Sequence, residues 1–163
     1  MPLEFWYPVG VSRPYMPEPT RTFAILAEGL EKAGFRVEAH SAAWDVDYLQ
    51  RVDRGRAGHV NLVGWTGDWP DPDNFLGTFF QQSTTQFGFE DARLFALLDR
   101  AERERDAATR TTLYEEASRR VMEQLPAVPL VYAREAVALR RSVEGYVTSP
   151  LRLEPFSLVS LTD

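Results

Sequence analysis

Cysteine is absent from the sequence. That removes disulfides, thiolate zinc sites and cysteine nucleophiles together. It leaves the compartment open, because many exported proteins also lack cysteine. Histidine is scarce: His40 and His59 are the only two, in neither HxH nor HExxH spacing. Both fall on expected strands, and each reads as a satisfied structural histidine. Lys32 is the sole lysine, so arginine supplies the remaining positive charge. We read this as genomic base composition. No apolar run approaches the roughly 18–20 residues of a membrane span, and mean hydropathy is −0.31. No basic stretch followed by an apolar one opens the chain, so residues 1–7 do not form a signal peptide. Neither a P-loop, a G-x-G-x-x-G nor a G-x-S-x-G elbow occurs. Catalysis has no support in these absences, and the chain is not expected to be an enzyme. Repeats and low-complexity tracts are missing too.

What is present suits one globular domain. The chain has 163 residues, 44% hydrophobic and 26% charged, enough to bury about two-thirds of its unfolded surface. The net charge is −6 and the basic residues are scattered. Nucleic acid is therefore excluded as a partner. A peptide or a cation fits the sign of the charge, although −6 is too weak to select one.

The pattern of elements begins with β-α-β-α-β. Leu3 to Val9 reads as a strand entered without preamble, so Met1 is expected to be a cut and not a native start. The three prolines between Val11 and Pro19 impose a loop. Thr20 is expected to cap a helix with Phe23, Leu26, Ala27 and Leu30 on one face, closed by Gly34. Phe35 to His40 alternates as a strand. A short helix follows over Trp44 to Val52, then a strand over His59 to Gly64. Such an order favours a sheet with helical crossovers. Asp73 is expected to cap a brief helix through Phe80. A helix follows with Leu94, Leu97, Leu98 and Ala101 on one face. The next, with Asp106 as its cap, carries Leu113, Ala117, Val121 and Leu125 along one stripe. Val128 to Tyr132 is expected to enter the sheet as a strand. In the tail, Val143 to Thr148 reads as a strand, with Pro150 and an apolar stretch from Phe156 to Leu161 behind it.

The densest run is Gly64-Trp65-Thr66-Gly67-Asp68-Trp69-Pro70-Asp71-Pro72-Asp73-Asn74-Phe75. It lies just past the C-terminal end of an expected strand, where ligands collect in open α/β sheets. Glycine and proline fix an unusual backbone path. Aspartate beside tryptophan suits an organic ammonium, because a charge partner stands next to a desolvating wall. Three other readings compete. Asp71-Pro72-Asp73 is also an ordinary turn and cap, and Trp65 and Trp69 could be plain packing. Asp71, Asp73 and Asn74 are hard oxygen donors, yet the glycine and glutamate positions of a calcium loop are not filled. Asp68 and Asp71 could pair as the carboxylates of a carbohydrate hydrolase, but nothing else supports that.

The run from Gly64 to Phe75 resembles the signature stretch of the dipeptide- and oligopeptide-binding proteins of ABC importers, the family 5 extracellular solute-binding proteins. Arg13 to Pro17, Ala33-Gly34-Phe35, Trp44 with Tyr48-Leu49, Leu125 to Leu130 and Val143 to Val147 resemble further family segments in the same order. The resemblance covers essentially the whole sequence. It implies an α/β fold: the second lobe of a two-lobed, type II-like periplasmic-binding-protein fold, with a mixed sheet flanked by helices. It implies that 1–133 is the C-terminal part of the ligand-binding lobe and 134–163 a tail returning across the hinge to a first lobe. Val143, Tyr146, Val147, Leu151, Phe156, Leu158, Val159 and Leu161 would then lack their cover, and self-association through the tail is expected. It also implies a peptide ligand whose α-ammonium pairs with Asp68, with Trp65, Trp69 and Gly67 lining the cleft. Nickel-binding relatives tend to lack this acid; a nickel chelate, haem or an oligosaccharide are the alternatives. No cofactor and no metal site is implied. The implied setting is the periplasm or another extracytoplasmic space, beside a membrane permease.

Overall fold

A computed structural model describes residues 2–134, 136–149 and 154–162. Met1, Pro150 and Leu151 lie outside the described residues.

Strand β1 (Leu3–Val9) lies at the centre of a three-stranded parallel sheet, between β2 (Val37–Ala43) and β3 (Val60–Asn61). Leu3 opposes Val37 and Val9 opposes Ala43; on the other edge, Phe5 opposes Val60. Successive strand residues face opposite sides, and the two crossovers use both. On one side helix α1 (Pro19–Lys32) brings Phe23 against the rings of Phe5 and Tyr7, at 5.0 and 4.3 Å. On the other side Trp6 stacks on His40, and Arg51 of helix α2 (Leu49–Asp53) lies 4.8 Å over the Trp6 ring. The sheet is thus doubly wound, in the order β2-β1-β3.

Helix α1 starts at Pro19, one residue before the expected cap, and Thr20 caps nothing. Proline at the first helical position has a preset φ and lacks an N–H that would be unsatisfied there anyway. The helix closes as expected: Gly34, at φ +94°, donates to Glu31 and Phe35 donates to Leu30, the paired bonds of a Schellman motif. Those bonds use Phe35, so β2 begins at Val37. The helix after β2 opens with a π turn, Trp44–Tyr48, before α2. Trp44 and Tyr48 are buried and stacked at 5.9 Å. The Tyr48 hydroxyl donates to the Leu62 carbonyl at 2.7 Å and accepts from the Leu62 N–H at 3.0 Å. The Leu62 N–H is shared with the Trp6 carbonyl at 3.2 Å, while the Leu62 carbonyl turns to the hydroxyl, and β3 holds two residues rather than the expected six.

The two histidines divide. His59 lies outside β3, and its Nδ1 accepts the Glu4 N–H at 3.0 Å. His40 is a stacking partner of Trp6, but its buried Nε2 has no partner among the described residues.

A second cluster is all helical. Helices α3 (Asp73–Phe80), α4 (Ala92–Arg103) and α5 (Ala107–Gln124) bury Leu94, Leu98, Ala101, Leu113, Tyr114, Ala117 and Val121, with Leu76 and Phe80 against them. Asp91 caps α4 by accepting from Arg93 and Leu94, and Asp106 caps α5 through Thr109. Leu125 leaves the expected stripe: it is half-exposed at φ +47°. Pro126 follows it and disfavours helical backbone at the preceding position.

Beyond Leu125 the chain bends at Pro126 and Ala127, and no strand forms over Val128–Tyr132. Pro129 has no N–H to offer a ladder, and Tyr132 is 92% exposed. The tail pairs with itself, β4 (Val143–Glu144) antiparallel to β5 (Ser160–Leu161). The expected strand to Thr148 stops early because Gly145 turns at φ +76°.

Candidate functional site

In a doubly wound sheet the loops diverge where the strand order reverses, which opens a crevice at the carboxyl ends of the strands. Here that point lies between β1 and β3. The loops after both strands meet there: the Tyr15 ring lies so close to Gly64 that a β-carbon at Gly64 would stand 2.5 Å from it. Burial raises the Tyr15 pKa above its ordinary value. The segment from Leu62 to Pro72 forms one wall.

Helix α3 organises that wall. Asn74 is 1% exposed. Its Oδ1 accepts the Trp65 indole N–H at 2.8 Å and the Asp68 backbone N–H at 2.9 Å. Gly67 is buried in between, with the Phe75 ring 3.0 Å from where its β-carbon would stand. A larger residue would fit there only if the half-exposed Phe75 ring gave way by a few tenths of an ångström. Trp65 is 39% exposed and rests edge-on against Phe79, and Trp69 is 49% exposed. Asp68 is exposed, and among the described residues its carboxylate has no hydrogen-bond or ion-pair partner.

The other acids are engaged. Asp71 Oδ1 accepts the Asp73 N–H at 2.8 Å in a turn just ahead of α3, whose N-cap position is Pro72 with no side-chain cap, so Asp73 is not the cap. This follows from geometry: Asp73 is already inside the first turn. The Asp71 carboxylate also receives a bidentate clamp from Arg110, at 2.8 and 2.9 Å. Arg110 donates in addition to the Ala101 carbonyl and to the Tyr114 hydroxyl. The Tyr114 hydroxyl donates to Asp73 Oδ1 at 3.3 Å. The Arg110 guanidinium holds Asp71 below the usual carboxylate range. Burial, then the charge of Glu102, pushes Asp73 above it. Burial with the Asp73 charge pushes Tyr114 up to about 12.

Trp65, Gly67, Asp68 and Trp69 share one loop after β3. The calcium reading loses its donors: Arg110 occupies Asp71, and the Asn74 oxygen already accepts twice. The hydrolase reading loses its second carboxylate, because both oxygens of Asp71 are taken by Arg110 and neither is left for a water or a sugar. The sequence leaves Arg110 unmarked; it offers Asn74 only as a possible calcium donor, and Tyr15 only as part of the Arg13 to Pro17 segment. Arg110 stands 39 positions from Asp71, and one arginine among many carries no signal of such a contact.

Comparison with known proteins points one way. The chain is 34% identical over 155 residues to di/tripeptide-binding protein 4 of Pseudomonas aeruginosa, an alignment that covers 91% of this chain and 28% of that protein. It is 30% identical over 162 residues to haem-binding protein A of Haemophilus influenzae, covering 97% of this chain and 29% of that one. Its fold superposes on the ABC transporter-associated periplasmic binding protein DppA of Helicobacter pylori, solved with the peptide STSA. The TM-score is 0.79 at 25% identity, over 99% of this chain and 31% of that one. The chain therefore spans less than a third of the length of these relatives. No family model matches it.

Proposed function

Because the chain is homologous to the dipeptide- and oligopeptide-binding proteins of ABC importers and has their fold, we propose that it works as part of a binding protein that captures a di- or oligopeptide outside the cytoplasm and delivers it to a membrane permease. It binds and does not catalyse. One observation carries the reading: the carboxylate of Asp68 is exposed in the loop after β3 with no partner among the described residues, and the same loop carries two half-exposed tryptophans. The peptide α-ammonium is the natural partner for such a group. Trp65, Trp69 and the Gly67 backbone form the wall that dries the pair. Broad tolerance of peptide side chains follows if main-chain contacts and water fill the rest of the cleft. Closure would be a hinge motion of two lobes, with 1–133 on one side and the opposing wall supplied by chain outside this sequence.

One finding favours a second reading, the 30% identity to a protein named for haem. Mass spectrometry of the ligand that co-purifies with the full-length protein separates the two. Di- or oligopeptides are expected. A porphyrin, a nickel chelate or an oligosaccharide would replace the peptide reading.

The tail, 134–163, belongs in this proposal to a surface beyond the body. Val147, Phe156, Leu158 and Leu161 are exposed, and β4 and β5 pair only with each other. Exposed apolar surface beside a free strand edge promotes pairing with another chain. The isolated 163-residue chain is expected to self-associate in light scattering, and a truncation ending at Ala133 to be monomeric. A monomeric full chain whose tail amides exchange as slowly as its core would show that the tail belongs to this domain.

A further inference from the structure

We infer that Asn74 is the positioning residue of the ammonium site: its side-chain oxygen, which the ligand never touches, fixes where the Asp68 carboxylate stands. The inference rests on the reading that Asp68 receives a peptide α-ammonium. An exposed carboxylate with no side-chain partner takes its place from its backbone alone. Among the described residues, one hydrogen bond ties the Asp68 backbone to the body, from its N–H to Asn74 Oδ1 at 2.9 Å. The same oxygen takes the Trp65 indole N–H at 2.8 Å, so one atom registers the charge and one aromatic wall against each other. A carbonyl oxygen offers two lone pairs, and both are used. Between the two donors, a β-carbon on Gly67 would stand 3.4 Å from the same oxygen, so the loop wraps directly around it.

Asparagine suits the position on three counts. It is buried in the first turn of α3, where a short polar side chain can reach back over the preceding loop. Glutamine would place its oxygen one methylene too far. Leucine would match the volume but leave the indole and the Asp68 amide without an acceptor. Helix α3 is itself held to α5 by the Asp71–Arg110 clamp, so the position of Asp68 is transmitted from the helical core through Asn74.

The test uses the full-length protein and two probes, Ala-Ala and N-acetyl-Ala-Ala, which differ only in the ammonium. The quantity read is the ratio of their affinities. Asp68→Asn is expected to remove most of that ratio. Asn74→Leu is expected to lower it about tenfold or more, because a displaced charge loses its partner, while affinity for the acetylated probe changes little. Asn74→Asp keeps the acceptor and should hold the ratio within about threefold of wild type. A measurement on the unmutated protein guards against misfolding of the leucine variant: the Trp65 indole proton and the Asp68 amide should both be protected from hydrogen exchange. A normal ratio in Asn74→Leu, equal losses for both probes, or two unprotected protons would overturn the role of Asn74. A normal ratio in Asp68→Asn would instead overturn the ammonium reading, and the role of Asn74 with it.

Discussion

Asp68→Asn is expected to weaken binding of peptides with a free amino terminus by roughly 30-fold to several-thousand-fold. Truncating one member of a desolvated charge pair costs about 2–5 kcal/mol, and about 1.4 kcal/mol is a factor of ten. The size of the loss depends on closure. In the open wall described here Asp68 is exposed, and an exposed ion pair contributes about 0–1 kcal/mol. The larger figure requires an opposing surface to exclude water. The same substitution therefore measures how far the site is enclosed. In the isolated chain the mutation should matter little, because the chain itself should bind peptide weakly. Asp73→Asn is the control. Its carboxylate accepts from Tyr114 at 3.3 Å, a bond that an asparagine oxygen also accepts, so peptide affinity should barely change. Calorimetry with a matched peptide series reads both. Equal losses in the two variants, or no loss at Asp68, would remove the ion-pair role.

The parts of the molecule that depend on neighbours in sequence were legible before the coordinates. Helix α5 has its cap at Asp106 and buries Leu113, Ala117 and Val121 at helical spacing. Helix α1 ends in a left-handed glycine, Gly34. The place of the loop proposed to bind was legible as a loop, because glycine, proline and tryptophan concentrate in one run after a strand. What failed depends on distant partners. The strand expected at Val128–Tyr132 has the right residues and no neighbour in this chain to pair with. β3 ends at Asn61, and the Leu62 carbonyl beyond it accepts from the Tyr48 hydroxyl, a bond across 14 positions. The roles within the acidic run were partly misread for the same reason. Asp71 looked like half of a turn; its second function is set by Arg110, and only the packing of α5 brings that side chain to it.

That clamp joins the two halves of the molecule, and its removal is the second large effect. One apolar cluster surrounds Phe5 and Tyr48, the other Leu98 and Tyr114. The segment from Leu62 to Pro72 spans the gap, and Asp71 ties it to α5. Arg110→Met keeps the aliphatic stem and removes every donor. It is expected to destabilise the fold by about 1–3 kcal/mol. That lies between the 0–1 kcal/mol of exposed pairs and the 3–5 kcal/mol lost on breaking buried ones, since the two side chains are 26% and 28% exposed. Arg103→Met, which removes an exposed helix pair with Asp99, should stay within about 0.5 kcal/mol. The pH dependence distinguishes the clamp from simple loss of packing. Arg110 lowers the Asp71 pKa below its unfolded value. The stability this contributes is therefore present above the ordinary carboxylate pKa, near 4, and is lost as pH falls through the folded value. Asp73 works in the opposite sense, because its folded pKa is raised, and losing the Arg110 charge would raise it further. Both changes flatten the acid limb of the variant. The Asp91–Arg120 pair remains in both proteins and contributes the same slope to each. Urea unfolding from pH 7 to pH 3 should thus show two curves well separated at neutral pH that converge in acid. Curves that stay parallel across the range would mean that Arg110 acts through packing alone, and that the charge on Asp71 does not hold the loop.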